Sequence, residues 1–231
     1  MSKLTESVIS QALEFAYEKA ISGFKGVNSA MELAESYKKS HPGDKSRQVD
    51  ALIKWQVGKG AASGFVTGLG GLITLPVAIP ANVASVLFIQ IRMIMAIAII
   101  GGYDPKDEKI KSFVYSCLVG NAVKDVLKDA GIKIGQRIVL KKVIPAISYG
   151  MLVRINRAVG FRLIAKLGGK GLINLGKLVP LAGGIIGGAM DAVWVAGVGK
   201  VAKRLFVEGG MAEGDVEESK EIEDAKVEIV D

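Results

Sequence analysis

The side chains that most often carry out catalysis are rare in this sequence and lack suitable neighbours. His41 is the one histidine and Cys117 the one cysteine among the 231 residues. His41 precedes Pro42 in a predicted turn, and no carboxylate or ligand spacing suited to a base or a metal surrounds it. Cys117 lies on the apolar face of a predicted helix and has no disulfide partner, which favours a core residue in a reducing compartment. We therefore predict a protein that is not an enzyme and has no cofactor and no metal.

One glycine-rich segment has the spacing of a phosphate-binding loop. Gly171, Gly176 and Lys177 occupy the positions of its two glycines and its lysine. Leu178 follows where a serine or threonine hydroxyl should hold magnesium, and no predicted strand precedes the segment. In a chain with 29 glycines we interpret the match as chance.

Two opposite charges interrupt two otherwise apolar stretches. Residues 61–91 carry no charge before Arg92, and Asp191 is the one charge in residues 178–199. An ionised group in apolar surroundings needs a partner, so we predict a buried ion pair between Arg92 and Asp191. Separate solvation of the two charges at a polar rim is the alternative. If the chain is instead an enzyme acting on lipid, Arg92, Asp191 and Asn82 are the candidate catalytic residues.

Basic residues are concentrated between these apolar stretches. Residues 130–190 contain ten basic residues and no acidic residue, so their net charge is +10. Anionic lipid attracts such a segment by about 1 kcal/mol for each basic residue near the surface. Aromatic residues do not interleave with a basic helix in a nucleic-acid motif, so we predict no nucleic-acid partner. The predicted headgroup contacts are Lys133, Arg137, Lys141, Lys142, Arg154, Arg157, Arg162, Lys166 and Lys170.

The charge pattern also divides the chain. Residues 208–231 hold ten carboxylates against two lysines, have few apolar residues and no aromatic residue, and are predicted to be a disordered acidic tail. Residues 1–53 are predicted to form N-terminal amphipathic helices. Residues 54–207 are predicted to form one helical domain that contains both apolar stretches.

The N-terminal third shows three helix signals. Apolar residues recur at helical spacing from Thr5 to about Gly23. Ser29 and Glu32 form a capping-box pair that begins a second helix, which runs to about residue 40. Asp44 is placed to cap a third helix.

A further helix is predicted to begin at Asp104 and Pro105. This pair places an acid at the N-cap and proline at the first helical position, and the apolar stripe that follows ends at Gly131. Residues 132–140 form the one segment whose helical character is doubtful, and no region alternates with period two. The predicted fold class is mostly α, a helical bundle with two glycine-rich hydrophobic hairpins that associates with a membrane.

The two apolar stretches are predicted to form these hairpins. Residues 61–91 form a stretch longer than the about 20 residues that a helix needs to cross a bilayer. Pro76 and Pro80 divide this stretch, and the cost of Arg92 brings the free energy of inserting the second half close to zero. Such a hairpin can be hidden in the core, against a membrane or in a partner, and we favour an embedded or shallowly inserted hairpin. The glycines predicted to allow close helix packing are Gly60, Gly64, Gly68, Gly183, Gly184, Gly187 and Gly188.

The order of these glycines and prolines resembles the EcsC family. The central signature is carried by Gly64-Phe65, Gly68-Leu69-Gly70-Gly71, Leu75-Pro76, Pro80-Ala81-Asn82, Gln90, Arg92-Met93 and Gly102-Tyr103-Asp104. The C-terminal signature is carried by Pro180, Gly183-Gly184, Gly187-Gly188, Asp191 and Ala202-Lys203-Arg204-Leu205-Phe206. The resemblance covers roughly residues 54–206. It implies a bacterial, mostly helical, membrane-associated protein linked by name to an ABC-transporter operon, and it supplies no catalytic residue.

From these observations we expect a non-enzymatic accessory or regulatory protein on the cytoplasmic side of the inner membrane, peripheral or shallowly embedded. Anionic membrane lipid is its predicted partner, and a membrane protein is a further candidate. Two alternatives stay open. One is a soluble interaction or regulatory module whose hairpins form a buried core and whose basic segment docks on an acidic partner or on the chain's own acidic tail. The other is a conditional pore-forming protein.

Overall fold

The computed structural model describes residues 5–23, 26–60, 81–133, 137–168 and 183–212. Most of these residues are helical, which confirms the predicted fold class at that level. The α-helices are α1 (Glu6–Ser22), α2 (Ala30–Ser40), α3 (Lys45–Gly60), α4 (Ala81–Gly101), α5 (Glu108–Cys117), α6 (Val123–Asp129), α7 (Leu140–Val143), α8 (Tyr149–Gly168) and α9 (Gly183–Phe206). Short 3₁₀ turns lie at Gly120–Ala122 and Ile144–Ala146.

Helix α4 is the central element of the bundle. It packs against α1, α2, α3, α5 and α9, and every residue from Ile91 to Ile100 is buried. Its segment Val83–Gly101 is, in the described part of the chain, the one helix that is long and apolar enough to cross a membrane, and 89% of that window is buried inside the molecule. The predicted helix in the second half of the first apolar stretch is therefore confirmed, and it forms the middle of the core.

Helix α3 runs antiparallel to both α4 and α9. The Lys45 ammonium, at the start of α3, donates to the carbonyl of Gly101 at the end of α4 (3.1 Å). Asp50 in the second turn of α3 pairs with Lys203 near the end of α9 (2.7 Å). Helices α4 and α9 consequently run parallel, and their ends meet so closely that a Cβ on Gly101 would lie 2.3 Å from the Phe206 carbonyl oxygen.

The predicted starts of the first three helices are confirmed. The hydroxyl of Thr5 accepts a hydrogen bond from the backbone of the first turn of α1 (3.3 Å). Ser29 and Glu32 form the reciprocal capping box, at 3.2 and 2.7 Å, and Asp44 caps α3 at 3.0 Å. The hydrogen bonds from the Ser29 backbone and hydroxyl lower the pKa of the Glu32 carboxyl.

The predicted start at Asp104 is wrong by one turn. Asp104 accepts from the backbone of Lys106 (2.9 Å) and thereby closes a turn, whereas Asp107 accepts from Lys109 (2.7 Å) and caps α5. The helix also does not continue unbroken to Gly131. It ends at Cys117 and resumes as α6, because the intervening 3₁₀ turn contains a glycine with φ of +57°.

The doubtful segment 132–140 contains a short strand. Strand β1 (Arg137–Ile138) pairs antiparallel with β2 (Met211–Ala212), with Arg137 opposite Ala212. The Lys124 ammonium of α6 donates to the carbonyl of Ala212. This pairing fixes the chain beside β1 after α9 has ended.

The N-terminal helices share the core of the rest of the chain. One continuous cluster of buried side chains extends from Ile9 in α1 to Met211 in β2, and it includes Val49 of α3. The division at residue 53 stays a prediction. Residues 61–80 of the first predicted hairpin and 178–182 of the second lie outside the described residues, so the hairpins also stay a prediction. Of the predicted tail 208–231, residues 213–231 lie outside them as well, whereas Met211–Ala212 form β2 and are not disordered.

Candidate interaction surface

Helix α8 combines four basic residues with no acidic residue, and it has a distinctly apolar exposed face. Tyr149 and Phe161 are the two most exposed large apolar side chains of the described residues, at 81% and 72%, and Val153 between them is 49% exposed. With Arg157 they repeat every fourth residue and so form one stripe about 18 Å long. The opposite face is buried in the core and consists of Leu152, Ile155, Val159 and Leu163.

Arg157 belongs to this stripe, and Arg154 lies beside it. Both arginines are exposed. The Arg157 Nε lies 3.3 Å from a Glu6 carboxylate oxygen, and the side chains of Arg157 and Glu6 are 77% and 60% exposed. An ion pair this exposed contributes at most about 1 kcal/mol, and water or another anion replaces the carboxylate readily. Both arginines are thus available to an anion that approaches from solvent. We call Tyr149, Val153, Arg154, Arg157 and Phe161 the α8 face.

The other two basic residues of α8 are directed toward neighbouring helices. Arg162 pairs with Asp129 at the end of α6 (3.0 Å). The Lys166 ammonium lies 4.5 Å from the centre of the Trp194 ring of α9. These contacts fix α8 against α6 and α9 and leave the α8 face outward.

A shallow groove of about 420 Å³ adjoins the α8 face. Its positive and apolar lining comes from α8, while Glu6 of α1 and Asp129 of α6 supply carboxylates at its edges. Of the nine predicted headgroup residues, Arg154, Arg157 and Arg162 line this groove together.

The other predicted headgroup residues that the structure describes lie away from this groove. Lys133, Lys141 and Lys142 are exposed on the chain that precedes α8. Lys141 lines a different, smaller cavity of about 210 Å³ together with Lys45. The side chain of Arg137 and residue Lys170 lie outside the described part of the structure.

The predicted buried charge on α4 is present. Arg92 is 3% exposed, its Nη1 donates to the Asn28 carbonyl (3.0 Å), and its guanidinium lies 5.6 Å from the centre of the Phe88 ring. Its Nε has no hydrogen-bond partner within the described residues, and burial lowers the pKa of the guanidinium. The side chains of Asp191 and Asn82 lie outside the described part, so the Arg92–Asp191 pair stays a prediction.

The surroundings of Cys117 and His41 fit structural roles rather than catalysis. Cys117 is fully buried, and burial raises the pKa of its thiol. His41 ends α2, where its Nδ1 contacts the Ser40 hydroxyl (2.9 Å) and its carbonyl accepts from Gln48 (2.7 Å). In the described ranges no group of three histidine, cysteine or acidic side chains is close enough to hold a metal. The segment 171–177 with the spacing of a phosphate-binding loop lies outside those ranges.

Sequence reasoning missed the aromatic part of the α8 face. It treated the basic residues by charge alone and found no aromatic residue interleaved with them, yet Tyr149 and Phe161 stand beside Arg154 and Arg157. The signal that could have identified them is the four-residue spacing of Tyr149, Val153, Arg157 and Phe161, offset from the buried stripe of the same helix.

Comparison with known proteins gives a family match over most of the chain. The model of the EcsC protein family matches residues 1–207, which includes α1 to α3 and ends before the acidic tail. A curated relative, Uncharacterized protein YdbA of Bacillus subtilis (strain 168), is 35% identical over 69 residues, which are 30% of this chain and 24% of the relative. This chain thus covers less than a third of that relative. No solved structure matches.

Proposed function

The chain belongs to the EcsC protein family, and from that premise we propose that it is a non-enzymatic accessory protein that binds anionic membranes peripherally through the α8 face. The observation that carries this proposal is the pairing of exposed aromatic and arginine side chains along one helix. We place the protein on the cytoplasmic side of the inner membrane.

The chemistry of the α8 face suits a lipid interface. Tyr149 and Phe161 can bury their rings at headgroup depth, where aromatic side chains are favoured, and Val153 adds apolar area between them. Arg154 and Arg157 each gain about 1 kcal/mol from anionic headgroups nearby. The two rings supply apolar area that enters the interface, and the two arginines supply electrostatic attraction to anionic lipid. Peripheral binding becomes stable when both contributions act together.

The position of α4 supports a peripheral rather than an embedded mode. Ile91, Ile94 and Ile97 are each fully buried among the other helices. Inserting α4 into lipid would remove these contacts without a gain, because lipid chains are no more apolar than the core. We therefore propose membrane contact through α8 while α4 stays in the core.

Burial of α4 also favours a second candidate, the soluble interaction module. In that case the α8 face docks on an acidic protein surface, and Arg154 and Arg157 pair with its carboxylates. Pore formation would require α4 to leave the core, and no contact of the described residues favours that.

Vesicle sedimentation tests the lipid proposal. We expect the chain to bind vesicles of phosphatidylcholine with about one third phosphatidylglycerol, to ignore phosphatidylcholine alone, and to be released between about 0.05 and 0.5 M salt as screening increases. Arg157→Ala should weaken binding about fivefold, which corresponds to about 1 kcal/mol. Phe161→Ser should weaken it as well.

Arg47→Ala is a matched control for Arg157→Ala. Arg47 is 79% exposed and its Nε lies 3.3 Å from Asp44, so it equals Arg157 in charge, exposure and ion-pair geometry but lies on α3. We expect its loss to leave vesicle binding nearly unchanged. Equal losses in the two variants, or binding that ignores both salt and lipid charge, would overturn the proposal. Binding to a single-stranded oligonucleotide but not to vesicles would do the same.

A further inference from the structure

We infer that the acidic segment 213–231 of the same chain docks on the α8 face and competes there with anionic lipid. This inference deepens the proposed function, because it names a regulation of the same surface. It is argued from the place where the segment begins, from its length and from its charge.

The segment begins at a fixed point of the fold. Residue 212 is held by β2, which pairs with β1, and by the Lys124 ammonium of α6, which donates to the Ala212 carbonyl. Met211 beside it is fully buried. The first acidic residue of the segment, Glu213, follows directly.

Helix α6 connects this point with the α8 face. Lys124 in its first turn contacts Ala212, and Asp129 at its last residue pairs with Arg162 of α8 at 3.0 Å. Just beyond, a Cβ on Gly131 would lie 3.5 Å from the Arg154 Nη1. About 7.5 Å of helix axis separates Lys124 from Asp129, so the start of the segment and the arginines of α8 are attached to opposite ends of one short helix.

The segment is long enough to cover the whole face. Residues 213–231 span at most roughly 65 Å when extended, whereas α8 is about 30 Å long. A tethered segment of this length acts at an effective concentration of the order of millimolar. Weak individual contacts therefore suffice for docking.

Charge on the two partners is complementary. The segment has nine acidic side chains and two lysines, while the α8 face has Arg154 and Arg157 and no acidic residue. Glu6 and Asp129 already pair with arginines of this helix, which shows that carboxylates fit there. Aliphatic residues of the segment, Val216, Ile222, Val227 and Ile229 among them, can cover the exposed rings.

The test uses the full-length chain and a full-length variant in which the nine acidic side chains of residues 213–231 are replaced by their amides. A fluorescently labelled peptide of sequence 213–231 is titrated with the variant, without lipid, and its anisotropy is measured. We expect saturable binding that falls at least tenfold when Arg154→Ala and Arg157→Ala are introduced. Arg47→Ala in the same background should leave it unchanged. Peptide binding that is absent, or insensitive to the two arginines, would overturn the docking.

Vesicle binding then tests the competition. The amide variant should need about tenfold less phosphatidylglycerol vesicle for half-saturation than the intact chain, and this gain should disappear with Arg154→Ala and Arg157→Ala. The opposite change, Lys220→Gln with Lys226→Gln in the intact chain, makes the segment more acidic and should weaken binding of the chain to these vesicles.

The failures of the two proposals are distinguishable. Equal vesicle affinity of the intact chain and the amide variant would overturn the competition and leave lipid binding in place. Failure of both proteins to bind vesicles would overturn the proposed function, and the peptide titration would still decide whether the segment docks.

Discussion

Arg92 brings a guanidinium into the least accessible part of the molecule. Arg92 donates a hydrogen bond to the Asn28 carbonyl and lies over the face of Phe88, and its Nε has no hydrogen-bond partner among the described residues. Such a group is costly unless a counter-charge is near, and Asp191 lies on α9, which packs against α4. The predicted pair therefore has a physical reason and a direct test.

We expect Arg92→Ala and Asp191→Ala each to lower the free energy of unfolding by about 3–5 kcal/mol, because each change leaves the other charge buried and alone. The double variant should lose less than the sum by about 0.5–3 kcal/mol. Urea unfolding followed by circular dichroism measures all three. Additive losses would mean that the two charges do not interact.

A charged group with few solvent contacts was predictable at position 92, whereas its hydrogen bond to the Asn28 carbonyl was not. A charge that follows the 31 uncharged residues 61–91 must be buried or at a rim, and sequence alone states that much. The hydrogen bond to Asn28 joins residues 64 positions apart, and no local pattern encodes it. The exposed ring of Phe161 was overlooked for a related reason, since exposure depends on which neighbours cover a helix face.

At the scale of elements, the packing of α9 on α3 depends on one glycine. A Cβ on Gly199 would lie 2.8 Å from Cγ1 and 3.0 Å from Cδ1 of Ile53. Gly197, two residues earlier in the same helix, has nothing within 4 Å of the corresponding position. The two glycines share helix and composition and differ in their surroundings.

We expect Gly199→Ala to lower the free energy of unfolding by about 1–3 kcal/mol through overpacking. Gly197→Ala should raise it by about 0.5–1 kcal/mol, because alanine loses less backbone entropy in a helix. Thermal unfolding of both variants measures the difference. A stabilising Gly199→Ala would show that Ile53 moves aside at no cost. If Gly199→Ala destabilises through this clash, Ile53→Ala, which removes all three atoms nearest to the new Cβ, should cost less in the Gly199→Ala background than in the unmodified chain.

Helix ends were predicted better than helix contacts. Thr5, Ser29 and Asp44 act on backbone groups within three residues, so local sequence suffices to identify them. Among acidic residues close together, as at Asp104 and Asp107, the same rule does not say which one caps. Glycines chosen by four-residue spacing did not include Gly101 or Gly199, because contact depends on which face meets a neighbour.

For the whole molecule, burial of α4 in the core decides between peripheral binding to a membrane and insertion into it. The apolar composition of Val83–Gly101 fits both a bilayer and a protein interior, and sequence reasoning favoured some insertion. In the structure 89% of that window is covered by other parts of the chain. Composition cannot make this distinction, because it depends on whether other helices supply enough apolar surface.

We expect the chain in fractionated cells to leave the membrane fraction in a high-salt wash, because the α8 face holds it by charge and shallow apolar contact. Immunoblots of the salt wash and of a subsequent alkaline carbonate wash measure this. Resistance to both washes would mean that apolar segments lie in lipid, and recovery wholly in the soluble fraction would favour the interaction module.

The central position of α4 also sets an order of events during synthesis. Helices α1 to α3 precede α4 in the chain and can cover it as soon as it emerges, but α9 ends 105 residues after α4. At about 5–20 residues per second, that interval lasts roughly 5–20 s. For this time the side of α4 that α9 covers in the folded chain lacks that helix, so a nascent chain stalled before residue 183 should be a client for chaperones.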